Sequence, residues 1–522
     1  MIKKIILLLL IASTTLKAQL EKNVQIEVVG RPSWQMMIPL QDNGLLVMVK
    51  TDITKIHFYN FDSDLNKRWD KEVFLDAEAP PKAYTLTGED LSLMFSETSG
   101  MYYQVFQFDL ASGELSQTGF ELREFFVDQD YVFLGDKVIM AGSNEKGAAF
   151  YTYDLDENVG ELSAKEGIEG KVSVNTFQYK PENGTIEALW SVKTTGYANE
   201  KKKKGPFTKD AYLVHAILDT AGNTIVKNEI KQVAGKFPLD GKIVTLSNGD
   251  KIVVGNYQSN AGDKGVFYYN MTHPMGLSTF SYSQLLRGNV SLTAKELTEL
   301  MTTYQFYPNQ PIEGDNKIYY GGVFMKPQFQ TVTQQSPYYS NSPYGYGSSR
   351  YGYNNMGNRN STTKQIFQGY HYPLGFVMEL TPEGNLLTSN RVDINNLSRE
   401  VLPALAYNEK GSVSYCVNGN LATKNYQIGT KPILYKLSNE TIANAKSAIP
   451  GSIPSYTGVQ FWYDNYFIAE GSRSKIEAIS INDKLANKPA KRGLFGRKKN
   501  NSPNSYSQVR KIIYLTKIAS GI

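Results

Sequence analysis

Short apolar runs with a period of two recur along the whole chain. The tightest form reads apolar, polar, apolar, then a turn residue. It appears as "FYNFD" (58–62), "FQFD" (106–109), "YTYD" (151–154), "YYNMT" (268–272), "VMELT" (377–381) and "LYKLS" (434–438). "LVHAILD" (213–219) and "KIIYLTK" (511–517) are looser copies. The polar slot holds Asn60, Gln107, Thr152, Asn270, Glu379 and Lys436. Alternation of this kind marks a strand whose two faces meet different surroundings.

Each copy follows two other strand-like runs joined by a turn signal, as in "IVTLSNGDKIVVGNY", "MMIPLQDNGLLVMV" and "LAYNEKGSVSYCV". Their Asn-Gly and Asp-Asn-Gly steps supply the positive φ angles of tight hairpins. After most copies comes a turn, such as "DTAGNT" or "TPEGN", and a fourth run, such as "RWDKEVFL" or "LLTSNRVDI". Two stretches are near duplicates, "GDKVIMAGSNEKGAAFYTYDL" (135–155) and "GDKIVVGNYQSNAGDKGVFYYNM" (249–271). The repeating unit is therefore four antiparallel strands.

About eight such units follow one another, roughly 45 to 95 residues apart. Four-stranded units at this period predict an all-β fold, a single β-propeller with seven blades as the alternative count. Two smaller all-β domains are a further alternative, but no linker divides the repeat. The last unit ends after its third strand, and "VQIEVVG" (24–30) belongs to no other unit. This strand is expected to complete the last blade and close the ring.

The composition agrees with a packed β-fold. Of 522 residues, 41% are hydrophobic and 12% aromatic, with 35 Tyr. Residues 1–18 read as a signal peptide: Lys3 and Lys4, then the apolar Ile5 to Ala12, then a small-residue cleavage site at Ala18. The mature propeller is then 19–522, exported and soluble or peripheral. Cys416 is the single cysteine, so no internal disulfide forms, and its strand-like setting predicts a buried side chain.

The regularity breaks near 196–209, 287–305, 326–370 and 482–508. The segment 287–305 contains the one clear helix, with a Thr293/Glu296 capping box and a stripe of Leu297, Leu300, Met301 and Tyr304. The other three insertions are cationic or Tyr-rich and fall between second and third strands. The first carries Lys201, Lys202, Lys203 and Lys204. The second has no acidic residue and carries Tyr344, Tyr346, Tyr351 and Tyr353. Its composition predicts an adaptable loop. In the third, Lys491, Arg492, Arg497, Lys498 and Lys499 surround an apolar Leu494-Phe495 pair. In a four-stranded blade these links share one face of the disc with the links between blades. That face is the expected interaction surface, for a protein partner and for an anionic membrane surface.

Catalytic signatures are missing. There is no Gly-x-Ser-x-Gly, His-x-His or His-Glu-x-x-His, and none of the four histidines is placed as a ligand. No cofactor is expected. "DSDLNKRWD" (62–70) has oxygen-bearing side chains at alternate positions, as at the start of a calcium loop. Lys67 stands where that loop needs Gly, and every other unit simply turns at this place. The export signal argues against a nucleic-acid partner. With its repeat, its "LKAQ" cleavage signal and its Tyr- and Asn-rich loops, the chain resembles exported β-propeller proteins of Bacteroidota of the WD40-like and quinoprotein-like kind. The resemblance covers nearly the whole mature chain. It implies a periplasmic or outer-membrane-associated protein and passes on no catalytic residues. The functional expectation is a non-enzymatic scaffold of the cell envelope. The alternative is a glycan-binding or glycan-degrading propeller with its site in the central channel. Such a site needs carboxylates and Trp converging on the innermost strands, and runs such as "IVTLS" and "MMIPL" offer few.

Overall fold

Strands Gln35–Pro39, Leu45–Asp52, Lys55–Phe61 and Lys67–Phe74 pair in chain order as one antiparallel sheet, and seven more sheets repeat this plan. The computed structural model describes residues 19–97, 100–197, 206–287, 292–335, 361–398, 401–426, 431–435, 455–479 and 506–520. The eight sheets are the blades of a β-propeller, numbered 1 to 8 from Gln35. In blades 5 and 6 the first strand is split in two, Lys236–Pro238 with Lys242–Thr245 and Gln305–Pro308 with Ile312–Gly314.

The eighth blade is built from both ends of the chain. Ser455–Tyr463, Tyr466–Ile479 and Tyr506–Ala519 form its first three strands, and Gln19–Val29 is the fourth. The closing strand runs antiparallel to Tyr506–Ala519, from Gln19↔Ala519 to Val29↔Arg510. It is longer than the 24–30 read from the sequence.

The strand period explains how the ring is held. In Leu45–Asp52, Leu45, Val47 and Val49 face one way and pack with Ile513 and Leu515 of blade 8. Leu46 and Met48 face the other way and pack with Phe106 and Leu93 of blade 2. One buried strand thus serves two blade interfaces, which is why such strands read as continuous apolar runs. The same sharing runs around the disc. Val105 and Met140 join blades 2 and 3, Phe150 and Trp190 join 3 and 4, and Leu213 and Val253 join 4 and 5. Val254 and Phe376 join 5 and 6, while Val377, Val413 and Phe467 link 6, 7 and 8. Outer strands are solvated instead: Thr224–Ile230 is exposed at every position but Ile230.

Polar groups pin the blades in register. The Trp69 indole N–H of blade 1 donates to the Leu110 carbonyl of blade 2 at 2.9 Å. Its ring lies against Gly113, where a Cβ would come within 2.8 Å, and Gly113 also has φ +72°. Only glycine suits that turn. The Tyr131 hydroxyl of blade 3 accepts from the Met94 N–H of blade 2 at 2.8 Å and donates to the Ala83 carbonyl. Tyr131→Phe leaves these buried groups without their partner. It should lower stability by about 1–3 kcal/mol, measured as a shift in the denaturant midpoint.

Blade 7 departs from the sequence reading. Its third strand is Asn420–Asn425, and the "LYKLS" run contributes the fourth, Ile433–Tyr435. Asn418 and Gly419 both have positive φ, 48° and 74°, and turn the chain straight after Val417. The returning strand carries hydroxyls where other blades carry rings. Thr423 is buried against the Ser414 hydroxyl at 3.0 Å. The expected helix is present as Ala294–Thr303, with both bonds of its Thr293/Glu296 capping box, and Leu300 is buried.

Candidate binding faces of the disc

The antiparallel order gives the disc two chemically different faces. The upper face collects the links between second and third strands and those between blades. Three strand pairs carry the long insertions there: Thr185–Tyr197 with Pro206–Leu218, Lys317–Gln335 with Ser361–Leu380, and Tyr466–Ile479 with Tyr506–Ala519. All three are second and third strands of their blades, 4, 6 and 8. The candidate residues Lys201, Lys202, Lys203, Lys204, Tyr344, Tyr346, Tyr351, Tyr353, Lys491, Arg492, Leu494, Phe495, Arg497, Lys498 and Lys499 lie outside the described residues, as do 1–18.

The blade 6 pair differs from the loop expected over 326–370. Its strands stay paired far beyond the blade, from Lys326↔His371 to Gln335↔Ser361. The first strand of the blade stops pairing at Met325 and the fourth at Tyr370, so the arm is two-stranded among the described residues. Ten residues of strand reach about 30 Å. Alternating Phe329, Thr331 and Thr333 with Thr363, Gln365 and Phe367 supplies the strand pattern. Phe329 and Phe367 pack edge to face across the arm with centroids 5.6 Å apart, and both remain exposed. No Asp or Glu occurs between Asp315 and Glu379, so the arm is cationic.

The lower face collects first-to-second and third-to-fourth turns. The Asp that ends many third strands caps the turn that follows. Asp62 accepts from the Asp64 and Asn66 N–H groups at 2.9 and 2.7 Å, and Asp219 from Ala221 and Asn223 at 3.0 and 2.7 Å. Asp109 and Asp154 do likewise. Hydrogen bonding from Asn223 holds the Asp219 carboxyl below its ordinary value, and that from Ser112 does so for Asp109. The calcium-like "DSDLNKRWD" is thus one of these capped turns. Among the described residues no three His, Cys, Asp or Glu side chains come together as a metal set.

At the axis the lower face opens into a cavity of ≈ 910 Å³. Its wall comes from the first strands and following turns of blades 1, 2, 6, 7 and 8. Tyr84, Phe461 and Tyr463 provide rings, Gln41, Gln310 and Gln460 amides, and Asp42, Glu409 and Asp464 carboxylates. Trp462 also lines it, but is buried with its indole N–H donated to the Gly44 carbonyl at 2.8 Å. The sequence reading counted too few polar groups here, because most come from turns rather than from the alternating part of the inner strands. Asp464 has a positive φ of 46°, a local sign that it is a turn residue. Elsewhere on the inner strands, burial raises the Asp130 carboxyl to about 6, and Lys242 donates to the Asn175 carbonyl at 2.6 Å.

Other reactive groups sit in structural settings. Cys416 is free and buried, and burial pushes its thiol up. His57 meets Asp70, His273 meets Asp250 and His371 meets Tyr304. His215 meets Glu187 at 3.0 Å, and Lys251 of blade 5 reaches the same Glu187 oxygen at 2.7 Å.

No protein-family profile matches the chain, and no curated protein matches it. Solved structures are similar to it at low identity. The Dos1 propeller is 11% identical with a TM-score of 0.36, over 77% of this chain and 80% of that one. Kuenenia stuttgartiensis hydrazine synthase is 10% identical with a TM-score of 0.34, over 74% of this chain and 92% of that one. Cobalt-substituted Synechocystis ACO is 8% identical with a TM-score of 0.29, over 47% of this chain and 64% of that one. Likeness at this level says nothing about activity.

Proposed function

We propose that this propeller is a non-enzymatic scaffold of the bacterial cell envelope, engaging a protein partner through its upper face. One observation carries the reading: the strand pairs that flank three cationic or Tyr-rich insertions are all second and third strands of their blades, so the insertions are rooted at one face of a ring of packed blades. Blades packed on both sides suit the ring to hold the strand ends that flank these insertions in fixed relative positions. The Leu494-Phe495 pair within the blade 8 insertion gives that segment an apolar anchor beside its charges, suited to a partner groove or to an anionic membrane surface.

Capture from native envelope membranes, with mass spectrometry of co-purifying proteins across a salt series, tests this reading. Three variants divide the face: Lys491, Arg492, Lys498 and Lys499 to Glu; Leu494 and Phe495 to Ser; and replacement of residues 336–360 by a short Gly-Ser link. Charge reversal should abolish capture at low salt, at roughly 1 kcal/mol per cation. The Ser variant should keep the salt dependence and lose what survives high salt. The link should leave circular dichroism unchanged, since shortening a long surface insertion costs little, and should weaken capture. Parent-like capture by all three variants overturns the proposal.

A further inference from the structure

The axial mouth on the lower face lies opposite the proposed partner face and has a different chemistry. Three exposed carboxylates reach it from separate blades, Asp42 from blade 1, Glu409 from blade 7 and Asp464 from blade 8. Among the described residues no Lys, Arg or His lines the cavity. Charges of one sign around a concave mouth focus the potential there and raise the local concentration of the opposite sign. The rings of Tyr84 and Phe461 lie in the same wall, and aromatic faces attract cations. Tyr463 already holds such a contact at the edge of the site, with the Lys517 ammonium 5.4 Å from its ring centre.

The arrangement discriminates between ligand classes. The carboxylates form no metal set, so the site does not suit a single small cation. An anionic ligand meets like charge from three blades. A neutral sugar would use the rings and amides but leave the carboxylates desolvated without a counter-charge, which is costly. Cations spaced along an extended carrier meet all the requirements. Their charged heads match acids on separate blades, and their aliphatic stems pack against the rings. The volume, ≈ 910 Å³, leaves room for more than one side chain. We propose that the axial mouth docks an extended Lys- and Arg-bearing segment of a partner polypeptide, paired to Asp42, Glu409 and Asp464.

The test is titration of the full chain with a short labelled peptide alternating Lys or Arg with Gly and Ser. Its Glu-for-Lys counterpart, spermidine and a neutral oligosaccharide are the comparison probes. The basic peptide should bind, and its affinity should fall by about tenfold or more between roughly 0.05 and 0.5 M salt. The combined variant Asp42→Asn, Glu409→Gln, Asp464→Asn should lose about tenfold or more at low salt with unchanged thermal unfolding, since all three groups are exposed. Tyr84→Ala should reduce the binding that remains at high salt. Charge reversal of the blade 8 insertion should leave this binding intact, which separates the site from the scaffold reading. Parent-like affinity in the triple variant, or salt-independent binding of the oligosaccharide in place of the peptide, overturns the proposal. Spermidine binding as tightly as the peptide overturns its polypeptide part.

Discussion

A chain lacking residues 19–30 should lose the closed ring. The strand Gln19–Val29 supplies the outer edge of blade 8, and its Ile26 and Val28 are buried in the cluster that joins blade 8 to blade 1. Removing these side chains, with the half-buried Val24, forfeits about 5 kcal/mol of apolar burial. It also strips Tyr506–Ala519 of its outer partner and leaves a bare strand edge, a template for aggregation. The Arg510–Glu27 ion pair at 3.1 Å is part-exposed and contributes little to this sum. The truncated chain should unfold at a lower denaturant concentration and be cut rapidly by protease under conditions where the parent resists. A synthetic peptide of residues 19–30 should restore resistance in trans, by adding a strand to the open edge. Unchanged unfolding of the truncated chain means that the ring is latched in some other way.

The second large effect lies between blades 4 and 5. Glu187 is buried and accepts from His215 within its own blade and from Lys251 of the next. Burial alone would raise the Glu187 carboxyl, but the hydrogen bonds from His215 and Lys251, with the charge of Lys251, outweigh it and bring it down to about 2. Lys251→Met takes away the nearer of two lysines that offset this buried carboxylate, the other being Lys180 at 3.8 Å, a class of change that costs up to about 3–5 kcal/mol. Glu187→Gln removes the charge itself and should cost less. The sign with pH follows from the lowered carboxyl. Its folded value, about 2, lies below its ordinary value of 4.5, so its contribution is complete above 4.5 and declines as pH falls from 4.5 toward 2. The stability difference between the parent and Glu187→Gln should therefore shrink over that interval and stay level above it. Denaturant unfolding at stepped pH measures it, and a difference that stays constant through the acid range overturns this role for Glu187.

Much of the fold was legible in the sequence because a blade must repeat its chemistry. "FYNFD", "FQFD" and "YTYD" are third strands, and their final Asp caps the turn in each case. The unassigned run before blade 1 had to pair with the incomplete last unit. Positive-φ pairs were equally visible: Asn418-Gly419 turns as Asn-Gly steps do. The reading failed where a blade kept the geometry and changed the side chains. "NLATKN" carries hydroxyl and amide groups at buried places, and the apolar "LYKLS" further on matched the pattern better. The strands of the blade 6 arm were masked by their Gln and Thr content. The Glu187 cluster and the axial mouth are assembled from residues far apart in the chain. Lys251 lies 64 residues from Glu187, and Asp42 reaches the same cavity as Glu409 and Asp464. No local spacing encodes such meetings. They follow from the closed ring.

The closing strand has a consequence for the order of synthesis. Residues 19–29 leave the ribosome long before their partner, 506–519, is made. At about 5–20 residues per second, the early strand waits on the order of 25–100 s for its place. Every other blade is complete within a stretch of neighbouring sequence, so blades 1 to 7 can assemble as they emerge while this segment remains unpaired. The alternation of Ile26 and Val28 with the exposed Gln25 and Glu27 suits that wait, since a polar face carrying a charge discourages premature association with other chains. Closing the ring is then the capture of an early-made strand by one made much later.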